Sequence, residues 1–150
     1  YSVPPGEYSN LEFGLGVRSD LNTTDPTTLP NDDPLGLYAG MHWTWAAMFK
    51  FVVFHAKIDT LGGSDLLHEV TFETGLDSLY RDNLSYPVNL TLEAFDRDTV
   101  LLTIDWNEIF HGVEPIDLKK ENISHTFGGV EAAKLAVRFT DNYVRAIELD

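Results

Sequence analysis

The sequence contains no cysteine, which excludes disulfides, thiolate metal sites and cysteine nucleophiles. Basic residues are scarce: Lys and Arg total 10 against 24 Asp and Glu, a formal charge of −14. So acidic a chain argues against nucleic acid and anionic membrane as partners, because both are recognised by positive surface. No apolar run reaches the roughly 18 residues needed to span a membrane. Catalytic signatures are missing too: there is no G-x-S-x-G elbow, no P-loop and no H-E-x-x-H. His68-Glu69 lacks the second His of a zincin, and Gly14-Leu15-Gly16 is not followed by the third Gly and helix of a dinucleotide fold. These absences point away from an enzyme. The chain opens on Tyr1 with neither Met nor a signal-like segment, the expectation for a processed or trimmed product. Four N-x-S/T sequons, at Asn22, Asn83, Asn89 and Asn122, matter only in a eukaryotic secretory setting; chance in an Asn- and Thr-rich chain explains them as well.

What is present is aromatic. Phe, Tyr and Trp make up 12 % of the 150 residues, and the length predicts one domain over 1–150 with a core that needs no staples. Only three Trp occur, and two of them flank Thr44 in Met41-His42-Trp43-Thr44-Trp45. Strand alternation places Trp43 and Trp45 on one side. Met41 and His42 are both ligand types for a soft or borderline metal. The competing reading is an aromatic plug at the entry to a core strand.

Hydrophobic patterning predicts a mainly β fold. Residues 8–17 alternate, with Leu11, Phe13, Leu15 and Val17 on one face. Residues 18–37 form a long polar loop with Asp32-Asp33 at its centre. That pair offers oxygen ligands for calcium, but without EF-hand spacing it also reads as a solvated loop. Residues 49–58 are apolar on both faces, as in a central strand covered on both sides. Residues 67–74 put His68, Val70 and Phe72 toward the core and Glu69, Thr71 and Glu73 outward. Residues 75–87 read as polar and turn-rich. Residues 88–95 and 99–106, joined at Asp96-Arg97-Asp98, read as the clearest hairpin. A short helical turn is expected at 107–110, a loop over 112–124, a helix over 129–139 with an Ala132, Leu135, Ala136, Phe139 stripe, and an edge strand at 144–149. Together these predict an antiparallel β-sandwich, Greek-key or Ig-like, with one C-terminal helix.

No two of the five His stand at close ligand spacing. His55 and His68 read as sheet-face or core residues. His111 suits a helix C-terminus, where the dipole favours a cation. His125 stands where it would help cap the C-terminal helix. His42, among Met41, Trp43 and Trp45, is the leading ligand candidate.

The residues Leu11-Glu12-Phe13-Gly14-Leu15-Gly16-Val17, Asn22, Pro34-Leu35, Met41-His42-Trp43-Thr44-Trp45 and Phe49-Lys50-Phe51 resemble the MbnP-like family. The family pattern runs Phe-x-x-Gly-Val, Asn, Pro-Leu, Met-x-Trp-x-Trp, then an aromatic-Lys-Phe strand. Phe72-Glu73-Thr74-Gly75 stands at the family's Phe-His-x-Gly, with Glu73 in place of His. The resemblance implies a secreted or periplasmic, often lipid-anchored β-sandwich that binds copper and is not an enzyme. It also implies a dihaem peroxidase-like partner and, since family members usually carry further strands before Phe-x-x-Gly-Val, a chain lacking N-terminal strands. The related surface proteins MopE and CorA hold copper through His side chains and a kynurenine made from Trp. By that resemblance His42 and Glu73 are the expected ligands, with His125 as a third, and Trp43 or Trp45 is the wall or oxidised ligand beside Met41. The alternative is a metal-free surface module, either one that contacts a partner through the 18–37 loop or one that stacks carbohydrate on Trp43 and Trp45.

Overall fold

The computed structural model describes residues 3–44, 46, 48–63 and 67–149. In chain order its regular elements are β1 (Gly6–Leu15), α1 (Ser19–Asn22), β2 (His42–Thr44), β3 (Met48–Ile58), β4 (His68–Gly75), β5 (Arg81–Leu92), β6 (Leu102–Ile104), α2 (Trp106–His111), β7 (Ile123–His125), α3 (Val130–Arg145) and β8 (Ile147–Leu149). Short 3₁₀ turns stand at Pro26–Thr28, Leu37–Ala39 and Asp77–Leu79. The protein is mainly β, with eight strands among the described residues in open sheets and a C-terminal helix.

The central sheet has the order β2-β3-β4-β7. Its backbone is β3, whose Phe49-Lys50-Phe51-Val52-Val53-Phe54 run is rich in the aromatic and β-branched residues that pack well on a pleated surface. β3 and β4 pair antiparallel with Phe54 opposite Phe72 and Val53 opposite Glu73. β7 then joins β4 in parallel, with His125 beside Glu73. A wholly antiparallel arrangement therefore does not hold. The chain reaches β7 only after crossing back through α2, and a crossover delivers a parallel neighbour where a hairpin cannot. Buried side-chain hydroxyls lock that edge. Thr126 Oγ1 accepts from Gly75 N at 3.1 Å, and Ser124 Oγ donates to Ala132 O at 2.9 Å.

One face of this sheet carries the core. Val52, Val70 and Phe72 meet Ile109 and Phe110 of α2 and Leu135 and Phe139 of α3. Phe72 and Phe139 stack with centroids 4.6 Å apart. A second cluster, Phe49, Phe51, Leu79 and Ala136, continues the core toward the other end of the sheet. α3 is helical because Leu135, Ala136, Phe139 and Thr140 recur on one buried stripe. Glu131 in its first turn and Arg145 in its last complement the dipole. The helix runs on past 139, so the final strand starts at Ile147 rather than 144.

Several expectations fail for identifiable reasons. Residues 88–95 and 99–106 do not form a hairpin. β5 pairs with β1 instead, and β6 pairs with β8. Alternation identifies a strand but not its partner, and an Asp-Arg-Asp linker does not supply the Gly that the tightest hairpins need. The polar, turn-rich stretch 75–87 contains the first half of β5, where turn-type residues such as Asn83 (φ 57) sit at irregular points of the register with β1. β3 is not covered on both faces: Val53, His55 and Lys57 are exposed on the side away from the helices. The loop 112–124 gives up its last two residues to β7, and the 18–37 loop contains α1 and one 3₁₀ turn and ends at the start of a second.

Candidate metal centre at Glu73

The outer face of the central sheet carries a polar cluster instead of a second core. Alternation along β4 puts Phe72 into the helices and Glu73 on the opposite side. Glu73 is nonetheless well shielded, its side chain being 10 % exposed. Three cationic or potentially cationic groups close over it. Lys50 Nζ donates to Oε1 at 3.0 Å, and His55 Nε2 lies 3.1 Å from the same oxygen. His125 Nδ1 stands 3.2 Å from Oε2.

Each partner arrives by sheet geometry. His55 faces Thr71 across the β3–β4 ladder, so it is a diagonal neighbour of Glu73 on the same face. His125 is the direct neighbour through the parallel β4–β7 pair. Lys50 faces Gly75, two residues on from Glu73. A side chain at Gly75 would collide with the Phe49 carbonyl at 2.6 Å, so glycine there lets β3 pass close enough to deliver Lys50.

Burial alone would push the Glu73 carboxyl up. The hydrogen bond and charge of Lys50, then His55 and His125, outweigh it and hold the carboxyl below its ordinary value. Glu73 is therefore ionised at neutral pH. Trp43 roofs the cluster: Lys50 Nζ is 5.5 Å from its ring centroid. The indole also meets the His125 ring at 6.1 Å and Phe127 edge-on at 5.3 Å.

The structure brings together Glu73, His125 and Trp43 of the expected site residues. It places His42 elsewhere: the imidazole packs edge-on against buried Phe49, on the core side of β3, with centroids 5.2 Å apart. Its charge also contributes to the lowering of Asp25, which the Thr27 hydroxyl and amide chiefly cause. Met41 packs against the second core cluster, and its carbonyl accepts from Lys50 N at 2.7 Å. Trp45 lies outside the described residues. Trp43 belongs to neither core cluster, so the plug reading does not describe it. Nor does His125 cap α3, whose N-cap is Gly129 without a side-chain bond.

Sequence patterning places His55 on a sheet face or in the core but marks neither it nor Lys50 as a site residue. The signal for His55 was its place in an alternating strand paired with one bearing an outward Glu, which requires the β3–β4 register to be used. In the acidic loop, Asp25 and Asp33 accept hydrogen bonds from backbone amides of their own turns, Thr27 N and Leu35 N.

Two imidazoles and a carboxylate are a donor set suited to Cu(II) or Zn(II). They do not yet converge: among the described residues no three His, Asp or Glu stand together as a metal-holding group. The reason is visible in the contacts, since one imidazole is on each carboxylate oxygen and the Lys50 ammonium shares Oε1 with His55. The donor chemistry fits a borderline metal, and the charge at its centre is at present balanced by Lys50.

No curated protein and no solved structure matches the chain. The family model MbnP matches residues 1–127, which span every strand from β1 to β7 and so the whole Glu73 cluster. The chain belongs to the MbnP family.

Proposed function

We propose that this protein is a non-catalytic copper-binding β-sandwich of the periplasm or cell surface, with His55, Glu73 and His125 as its donors and Trp43 as the wall over them. The observation that carries the reading is the placement of two imidazoles on the two oxygens of one shielded carboxylate, with an indole against one of them, His125. Imidazole nitrogen suits copper, and a carboxylate in place of the family's His makes Cu(II) a better match than Cu(I). The shell supports preorganisation, because His55 and Glu73 stand next to Phe54 and Phe72 of the core and His125 stands between buried, hydrogen-bonded Ser124 and Thr126. Family membership supports export, a lipid anchor outside this chain and a dihaem peroxidase-like partner.

The test is metal content by mass spectrometry after incubation with Cu(II) and desalting. Stoichiometric copper is expected in the wild-type chain and in His42→Ala, and its loss in the His55→Ala/His125→Ala double variant. Loss in His42→Ala with retention in the double variant would move the site to the Met41–Trp43 segment. No retained copper in the wild-type chain would refute the reading.

A second reading is a metal-free surface module. Lys50 already neutralises Glu73, and Phe127 stays half exposed beside Trp43, an aromatic pair of the kind that stacks on a partner or a sugar ring. Retention on a polysaccharide matrix that Trp43→Ala abolishes would favour it.

A further inference from the structure

The Lys50 ammonium stands between the Glu73 carboxylate and the Trp43 ring. It bonds Oε1 at 3.0 Å and lies over the Trp43 ring, the same indole that meets the His125 imidazole. We propose that Lys50 is a resident competitor cation: metal taken by His55, Glu73 and His125 has to displace its ammonium, and Lys50 thereby sets the affinity of the site. This inference rests on the copper reading above and adds to it a residue that restrains binding instead of supplying a donor.

Three observations carry it. Both carboxylate oxygens are already engaged, Oε1 by Lys50 and His55 and Oε2 by His125. A second positive charge brought to within a few ångströms of the ammonium in a shielded site is strongly opposed. Displacement is nevertheless feasible. Lys50 is 18 % exposed and ends a flexible four-carbon stem, so its ammonium can swing to water while the stem stays packed. The same retreat is closed to arginine, whose planar fork grips a carboxylate through two parallel bonds.

These differences give substitutions at position 50 opposite signs. Lys50→Met keeps the apolar stem and removes the competitor, so Cu(II) and Zn(II) bind about tenfold more tightly or better, equivalent to about 1.4 kcal/mol. Lys50→Arg binds them more weakly than the wild type. A merely structural lysine would give weaker binding in both. The measurement is calorimetric titration of the folded wild-type, Lys50→Met and Lys50→Arg chains with Cu(II) and with Zn(II), folding being checked by thermal melting. Tighter binding in Lys50→Met and weaker in Lys50→Arg upholds the inference. Wild-type binding that Lys50→Met leaves unchanged or weakens overturns the inference and leaves the copper reading standing. Absence of binding in the wild type overturns the two together.

Discussion

Replacing Glu73 by Gln keeps the shape and one oxygen acceptor but removes the charge that three groups surround. The magnitude follows from how shielded each pair is. Glu73 and Lys50 are 10 % and 18 % exposed, so their contact is largely withdrawn from solvent. Hydrogen bonds to charged groups in such settings contribute about 1.5–3 kcal/mol. His55 and His125 are 58 % and 44 % exposed, so their pairing with Glu73 is screened and adds about 0–1 kcal/mol each, and only when protonated. Glu73→Gln is therefore expected to cost about 2–3 kcal/mol at pH 7, a fall of about 5–10 °C in Tm for a domain of this size. The loss should depend on pH with a definite sign. The folded Glu73 carboxyl lies below its ordinary value, so its stabilisation is fully present above the unfolded value and is lost as pH falls through the folded one. Urea unfolding at a series of pH values tests this. The gap between wild type and variant should not shrink between pH 7 and about pH 5.5 and should close progressively below that. A gap that persists unchanged into acid would mean lost packing rather than lost charge. No gap at pH 7 would mean that desolvation cancels the ion pair, as it does in some buried pairs.

Two further perturbations probe the scaffold. Phe139→Ala removes the ring stacked on Phe72 at the centre of the main cluster and should cost about 3–5 kcal/mol in urea unfolding; a loss below about 1 kcal/mol would show that α3 is not packed on the sheet as described. Asn22 is 3 % exposed, donates to Asp77 Oδ1 at 2.7 Å and accepts from Phe49 N at 3.2 Å. Asn22→Ala leaves both partners short of a bond and should cost about 2–4 kcal/mol, while Asn22→Asp, which keeps the acceptor but sets a charge against Asp77, should not rescue it.

What could be read from the chain in advance was local. The strands at 8–17, 49–58 and 67–74 and the helix beginning near 129 follow from alternation and from the Leu135–Phe139 stripe, and all of them form. The division of β4 into a core face (Val70, Phe72) and an outer face (Thr71, Glu73) was legible for the same reason. Pairing was not, because a ladder partner depends on tertiary closure and not on the pattern of one strand. β5 therefore goes to β1, although residues 99–106 lie nearer in sequence. The site suffered from the same limit. Glu73 and His125 are brought together by a parallel pair 52 positions apart in numbering, and nothing local to His125 announces it. His42 drew attention because Met and Trp surround it in sequence, yet in a strand adjacent residues face opposite ways. Trp43 goes to the cluster, and His42 goes to Phe49 on the core side.

The placement of the cluster explains how a polar site can be rigid on so small a scaffold. Phe54 and His55 are consecutive on β3, and Phe72 and Glu73 are consecutive on β4. Phe54 lies opposite Phe72, and both point into the helices. Sliding β4 by one residue against β3 would carry Glu73 into the aromatic core and Phe72 into water, so the core fixes the register to a single value. That register in turn fixes which oxygen His55 reaches. β7 is held less by its own three residues than by the bonds at its ends: Asn122 Nδ2 to Glu69 O at 2.8 Å, Thr71 N to Asn122 O at 2.7 Å and Gly75 N to Thr126 Oγ1 at 3.1 Å. These fasten His125 at the level of Glu73 from both sides. Two donors thus inherit their positions from aromatic packing and the third from a hydrogen-bonded edge. Of the groups around the carboxylate, Lys50 is the one whose long, flexible side chain leaves its head free to move, the property that a displaceable cation requires.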